Sequence, residues 1–417
     1  MTQARHTGFA RLTQNDVNAT AARHEMLYAG RMGGARAVFA FCNLSGLDLS
    51  GRNLADADFT GAVLEEIRLA GAKLDSASFF GADLRRSDLS NASLRRADLR
   101  GASLRGANLI GADLYEADLR EGTIAEKDKY DNLKILTHDV GPTELPAALL
   151  ASANLEKARM TGAMAIQADF TDAMMRGCRL TRANLRQARL TGANLENADL
   201  SGCNLTGADL QGAILIGARL ELATTHGADL SGTLLEQPKP DLELADRIEA
   251  MLDRHVRWAK SEGREGKPAD LSGMDLRKVM KLAHRTLTAL IAPGAMLYGV
   301  DLEGASLQGS NLSGCDLRSA NLAGTDLRGV NLSGAKLNHA DLSRARLGPL
   351  AISAARLLPA RLDCAEARYA KFRGADLKRA RLGGADLSYA DLRDAEMESA
   401  DVTGAKLPMN YAETANS

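Results

Sequence analysis

Aspartate is the commonest side chain in this chain that could do chemistry, and paired carboxylates can serve as general acid and base. Asp83, Asp88, Asp98, Asp113 and Asp118 each stand directly before a leucine, however, and recur on one short spacing. That placement suits surface and turn hydrogen bonding better than catalysis, because an aspartate side chain readily accepts a backbone N–H two residues on. The seven histidines, at 6, 24, 138, 226, 255, 284 and 339, fall in different registers. No Ser-His-Asp or HExxH arrangement is visible, and no glycine-rich loop stands between a strand and a helix. Cys42, Cys178, Cys203 and Cys315 each sit two residues before a leucine, where alanine is usual, and Cys364 lies outside that pattern. They read as small core residues, and Met160 and Met175 as core fillers. No catalytic residue, cofactor site or metal site is expected.

The elements that carry these residues follow an unusual period. In the stretch 101–119, "GASLRGANLIGADLYEADL", leucine falls at 104, 109, 114 and 119 with alanine two places before each. The same spacing of large apolar residues runs from Phe39 to Ile124, then from Leu150 to Leu235 with Ala165 and Thr225 as weak members, then from Leu282 to Leu407 with Ala292 and Ala367 weak. Side chains two apart share one face of an extended chain, so the alanine and leucine point inward and the residues between and after them outward. The frequent glycine just before the alanine, as at Gly101, Gly106 and Gly111, suits a corner that needs positive φ.

The motif Ala-(Asp/Asn)-Leu-X-X, written as "ANL", "ADL" and "ASL" through about three quarters of the chain, closely resembles the pentapeptide repeat proteins. That resemblance implies an all-β solenoid, a right-handed quadrilateral β-helix with four pentapeptides per coil and the leucine and alanine stacked inside. It says little about function, since most of such a repeat is scaffolding.

Five segments are expected. Residues 1–38 form an N-terminal helical cap, with a capping box from Thr13 to Asp16 and Val17, Ala21, His24 and Tyr28 at helical spacing. Residues 39–235 form a β-helix with an insertion near 125–149, where the spacing slips by one residue and a coil with an outward loop would restore the stack. Residues 236–270 hold a linker and a capping helix from about Asp241 to Glu262, apolar at Leu244, Ile248, Met251, Leu252 and Ala259. Residues 271–407 form a second β-helix in which 276–296 reads as coils, and 408–417 is a polar tail. "RHEMLYAGRMGG" at 23–34 aligns with "RHVRWAKSEGREG" at 254–266 with one gap, so the chain reads as an internal duplication of a helix that caps a β-helix.

The 52 Lys and Arg nearly cancel the 53 Asp and Glu, which announces neither a polyanionic nor a polycationic partner. The start lacks an apolar signal region and no stretch is apolar for long enough to span a bilayer, so a cytoplasmic location without membrane contact is expected. Some pentapeptide repeat proteins resemble a DNA rod in width and charge and bind DNA gyrase, an activity that needs a long negative face. The face on Phe170, Leu190, Leu210 and Leu230 carries Asp169, Asp172, Asp209 and Asp229, but Arg189 interrupts it. The face on Leu317, Leu337, Leu357 and Leu377 carries Arg318, Lys336, Arg356, Lys378 and Arg379 against Asp316 and Asp376. The tail is also short and polar, unlike the apolar C-terminal helix through which gyrase-binding members dimerise. The expected function is a non-catalytic, rod-like scaffold that presents flat faces to a protein partner, with Arg318, Lys336, Arg356, Lys378 and Arg379 as the candidate contact residues. The alternative is a DNA-mimicking protein that binds gyrase or another topoisomerase; a nucleic-acid partner is not expected.

Overall fold

A computed structural model describes residues 9–122, 125–127, 133–135, 141–235, 242–277, 282–353 and 356–408. Ile124, Asp241 and nearly all of the expected tail lie outside the described residues, as does the Leu244 side chain. The chain divides into two compact units, Met1–Gln237 and Pro238–Ser417.

Within each unit the polar residue before each central apolar residue pairs in parallel with its counterpart 20 residues on, as Asp58 does with Ser78 and Ser78 with Asp98. Four pentapeptides therefore make one turn of the coil. Each rung is held from both sides. The Leu84 N–H donates to Ser103 in the next coil at 2.8 Å and the Asp83 N–H to Ala62 in the previous one at 2.9 Å. Leu84, Leu104, Ala82 and Ala102 are at most 1% exposed, and Phe39, Phe59 and Phe79 stack in one column with ring centroids 5.1 and 4.8 Å apart. Burial of one such leucine is worth about 1.5–3 kcal/mol. Where serine, threonine or cysteine replaces the inner alanine, its hydrogen is used within the core. Ser310, Cys315 and Thr325 donate to the carbonyls of Leu287, Ala292 and Leu302 at 2.9–3.0 Å.

A four-residue turn closes each corner, with the alanine N–H donating back to the central residue, as Ala82 does to Phe79 at 2.9 Å. The third residue of the turn has positive φ, and many non-glycine residues accept it, among them Asp56 (58°), Arg86 (56°) and His339 (60°). Left-handed geometry costs an L-residue roughly 1–2 kcal/mol. The hydrogen bond from that residue's own N–H to the next coil offsets it, as from Arg86 to Arg105 at 3.0 Å.

Each unit begins with a helix. α1, Gln14–Tyr28, has the expected capping box: the Thr13 hydroxyl accepts the Asp16 N–H, and the Asp16 carboxylate accepts the Thr13 N–H at 2.8 Å. The Thr13 hydroxyl also donates to the Asp16 carboxylate at 2.7 Å, and this bond, with that from the Thr13 N–H, holds the Asp16 carboxyl below its ordinary range. Val17, Ala21 and His24 face the first coil and are fully buried. α2, Leu242–Lys260, buries Ile248, Leu252 and His255 at the same relative positions. In both, the imidazole Nδ1 accepts a backbone N–H from the strand that enters the coil, Ala37 to His24 at 3.0 Å and Ala269 to His255 at 3.1 Å. Trp258 is half-buried and stacks on His255 with centroids 5.5 Å apart.

Both ladders are interrupted by hairpins. In the first unit Ser103 pairs with Glu144, 41 residues on, and β1 (Ala125–Lys127) and β2 (Leu133–Ile135) form an antiparallel pair between them. The coil resumes with the buried Leu145, one pentapeptide before Leu150, because Pro146 fits a corner and Ala148 the inner position. In the second unit Asn331 pairs with Arg361, 30 residues on, and β3 (Leu350–Ser353) pairs with β4 (Arg356–Leu358). The unbroken third series expected through Ile352 and Leu357 is corrected here. Those two residues belong to the hairpin and are 54% and 47% exposed.

Candidate interaction faces

The outward face of each pentapeptide is built by the residues immediately before and after the central one. An aspartate or asparagine in the first position accepts the backbone N–H two residues on, as Asp58 does from Thr60 at 3.0 Å and Asn154 from Glu156 at 3.1 Å. This local bond is why those residues precede the leucine. Where the sequence reads Asp-Leu-Arg, the arginine folds back onto the same carboxylate through two parallel bonds. Asp98 and Arg100 pair at 2.9 and 2.7 Å, and so do Asp326 and Arg328. Asp118 with Arg120, Asp275 with Arg277 and Asp391 with Arg393 repeat the arrangement. Each such pair neutralises itself on its own face.

Three consequences follow for the candidate contact residues. Arg318 is only 6% exposed and holds Asp316 at 2.9 and 2.7 Å, so it is a structural pair and not a presented cation. The ladder runs Asp316, Lys336, Glu366, which puts Arg318 and Lys336 on one face. It separately runs Asp326, Arg346, Asp376, which puts Lys378 and the corner residue Arg379 on another. Arg356 stands on β4, off every face. The five residues therefore do not share a face, because the hairpin absorbs two pentapeptides and rotates all later residues by half a turn.

The acidic column keeps its expected register, with Asp169, Arg189, Asp209 and Asp229 on successive rungs. Its charges are engaged. Asp169 accepts from Thr171 and lies 3.5 Å from Arg189, Asp209 accepts from the Thr191 hydroxyl at 2.9 Å, and Asp229 accepts from Gln211 at 2.6 Å. Asp172 is 4% exposed. Among the described residues this column presents no long negative face.

Three of the thiols and two of the imidazoles serve packing; Cys42, expected in the core, is only partly buried, and Cys364 and His226 are exposed. Cys178, Cys203 and Cys315 are fully buried, and burial pushes the Cys203 and Cys315 thiols up to about 12 and about 11. Burial likewise holds His24 and His255 below the ordinary histidine value, so each is a neutral acceptor at neutral pH. His284 and His339 are corner residues; His6 and His138 lie outside the described residues. Among the described residues no group of histidine, cysteine and carboxylate side chains is arranged to hold a metal ion, and no helix is long and apolar enough to cross a membrane. The β3–β4 hairpin was hidden from sequence reasoning because its length is two whole repeats. Its signal is chemical: "GPLAISAARLLPARL" has prolines at 349 and 359 and lacks the usual Asp or Asn before the apolar residue.

The family described as "Pentapeptide repeats (8 copies)" matches residues 35–62, 53–91, 82–121, 145–182, 183–221, 198–237, 295–334, 310–348 and 370–407. No curated protein matches the chain. Among solved structures, HetL, a pentapeptide repeat protein involved in heterocyst differentiation regulation from the cyanobacterium Nostoc sp. strain PCC 7120, is 23% identical. The match covers 93% of this chain and 95% of that one with a TM-score of 0.20. Rfr23, from the cyanobacterium Cyanothece 51142, is 30% identical over 32% of this chain and 90% of its own, with a TM-score of 0.27. QnrB1, a plasmid-mediated fluoroquinolone resistance protein, is 15% identical over 66% of this chain and 84% of its own, with a TM-score of 0.25. With matches over more than half of its length and two ladders of four pentapeptides per coil, the chain belongs to the pentapeptide repeat family and folds as right-handed quadrilateral β-helices.

Proposed function

We propose that this protein is a non-catalytic scaffold whose β-helix faces hold side chains at fixed positions for a protein partner, in the cytoplasm. The observation that supports this reading is the separation of core from surface. Away from the ends of the two ladders the inner residues are near-uniform and buried, whereas the outward residues vary on a ladder hydrogen-bonded from both sides. Such a stack can change its surface without disturbing its core. The DNA-mimic alternative is not adopted, because cations stand among the carboxylates of the faces described, as Arg100 beside Asp98, Arg328 beside Asp326 and Arg189 beside Asp169. Accordingly, the protein should not inhibit supercoiling by gyrase, and potent inhibition at sub-micromolar protein would reverse that choice. The scaffold reading is tested by cross-linking the chain to neighbours in native extract with one face reversed at a time, for example Lys336→Glu or Arg189→Glu. Loss of a specific neighbour with one face only is the expected result; no neighbour with any face intact would remove the reading.

A further inference from the structure

The β3–β4 hairpin emerges at a corner of the second unit and lies against the corners of the two preceding coils. Two glycines make room for it. A Cβ at Gly329 would stand 2.8 Å from Leu350 and 3.1 Å from Leu358, and one at Gly309 would stand 3.5 Å from Leu350. Leu350 and Leu358 are partners in the register and thus point to the same side, against those corners. Ala351, Ile352 and Leu357 are left in solvent, Ile352 and Leu357 at 54% and 47% exposure. Most large apolar side chains of this unit are turned into the coil; Ile291 and Tyr389 are exposed at 38% and 39%, and Ile352 and Leu357 are the unit's most exposed among the described residues, on an element that is itself fastened in place.

The charge along this stretch of the sequence is also uneven, although Arg346 is paired with Asp326 at 3.3 Å. Residues 343–381 hold ten Arg and Lys against three Asp and Glu, in a chain whose net charge is −1. The ladder distributes six of the ten to the hairpin and to the two faces that adjoin its corner. These are Arg346, Lys378 and Arg379 before the corner, Arg356 on β4, and Arg361 and Arg381 after it. Asp363 lies 3.1 Å from Arg361 and 3.5 Å from Arg381, and Lys378 has Glu396 at 2.6 Å. Arg356 and Arg379 are exposed and have no carboxylate partner among the described residues. Exposed apolar side chains on a hairpin that carries one unneutralised guanidinium group, with a second at the corner of the following coil, complement a segment that carries carboxylates next to apolar side chains.

We propose that the β3–β4 hairpin, with Ile352 and Leu357 exposed on it, Arg356 on β4 and Arg379 at the corner of the following coil, is the docking surface for an acidic amphipathic segment of a protein partner. The proposal rests on the scaffold reading and names the site and the chemistry of its partner. Ile352 and Leu357 supply the apolar anchor, and the two arginines set orientation and the rate of encounter.

The probe is a fluorescently labelled amphipathic peptide of leucine and glutamate, titrated with the full-length protein and followed by anisotropy at low and high salt. Binding that weakens with salt is expected, as is weaker binding of the same peptide with lysine in place of glutamate. Ile352→Asp with Leu357→Asp should weaken the acidic peptide about tenfold or more, and Arg356→Glu with Arg379→Glu about tenfold. Lys371→Glu, an exposed reversal on a face that does not adjoin the hairpin, should leave it unchanged. All five positions are on the surface, so the variants should keep the wild-type melting temperature. The proposal is overturned by equal affinity for the acidic and basic peptides, by hairpin variants that bind as wild type, or by tighter binding to phosphatidylglycerol vesicles than to the peptide. It is also overturned if the hairpin variants instead abolish self-association in sedimentation, since the occupant would then be a second copy. A native partner captured equally by wild type and hairpin variants would leave the scaffold reading standing and remove the hairpin as its site.

Discussion

The two capping helices solve one problem with partly different chemistry. α1 buries Val17, Ala21 and His24, and α2 buries Ile248, Leu252 and His255, three residues at the same i, i+4, i+7 spacing in each. Beyond that shared row they diverge. α1 is tied down by polar arms. Gln14 bonds both the N–H and the carbonyl of Asp48 at 2.9 and 2.7 Å, Glu25 accepts from Asn53 and Arg52, and Tyr28 donates to Ala55. α2 relies on larger apolar groups, with Met251 also packed at the coil, and one described ion pair from Glu249 to Arg285 at 2.6 Å. The end of a β-helix exposes a cross-section of core and a row of unpaired backbone groups. Two apolar residues and one acceptor for the entering N–H are the constant requirement, and the remaining ties are interchangeable. The shared row also supports the reading of an internal duplication.

The sharpest way to break this comparison is to charge the row itself. Ile248→Asp should destabilise the second unit by at least about 3 kcal/mol, through lost burial and a carboxylate without a partner. Red-shifted Trp258 emission and aggregation should accompany it. Val17→Asp should do the same to the first unit while leaving Trp258 unchanged. Unchanged stability in both variants would show that the helices are not caps.

A smaller effect should come from the acceptors. His24→Ala or His255→Ala strands the N–H of Ala37 or Ala269, at a cost of about 1–3 kcal/mol. His255→Asn, which keeps an acceptor, should recover part of that loss in a thermal melt. If alanine and asparagine variants melt together, the hydrogen bond is not what the histidine contributes.

Acid should loosen both caps more gently. Burial lowers both imidazoles below 6.5, so above that pH folded and unfolded chains are alike neutral and the latch contributes fully. As pH falls below 6.5 the unfolded chain takes up protons first, and the contribution is lost progressively until the folded imidazole also titrates. At His24 the burial is opposed by the Ala55 backbone, Asp56 and Glu25 and reinforced by Arg36; at His255 it is opposed by backbone groups of Leu287 and Thr288. Hydrogen exchange at Ala37 and Ala269 against pH reads the release directly; protection that stays constant as the pH falls below 6.5 would contradict it. The smallest effect belongs to surface ion pairs, and Arg105→Ala should change the melting midpoint by no more than about 0.5 kcal/mol equivalent, against unfolding of the coil by Leu109→Asp.

Much of the site was readable only in part. The candidate arginines and lysines were identified one by one, but grouping them on a face assumed that twenty residues always make one turn. The hairpin at 350–358 violates that assumption without disturbing the period, since ten residues are two pentapeptides. Arg318, counted as a contact, is spent on Asp316 two residues earlier, a local pairing that the Asp-Leu-Arg spelling contains once its meaning is known.

By itself, the sequence determined the coil. Leucine every fifth residue with alanine two before it leaves one way to bury both and to solvate the rest, and Asp or Asn before the leucine closes the local hydrogen bond. The capping helices were equally legible from periodicity and from the Thr13 box. The tertiary structure alone decided which coils are neighbours, because a strand pairs with whatever lies one rung away and an outlooped segment costs the ladder nothing but chain entropy. It therefore also decided which charges share a face, and it placed Ile352 and Leu357 in water where the period had put them in the core.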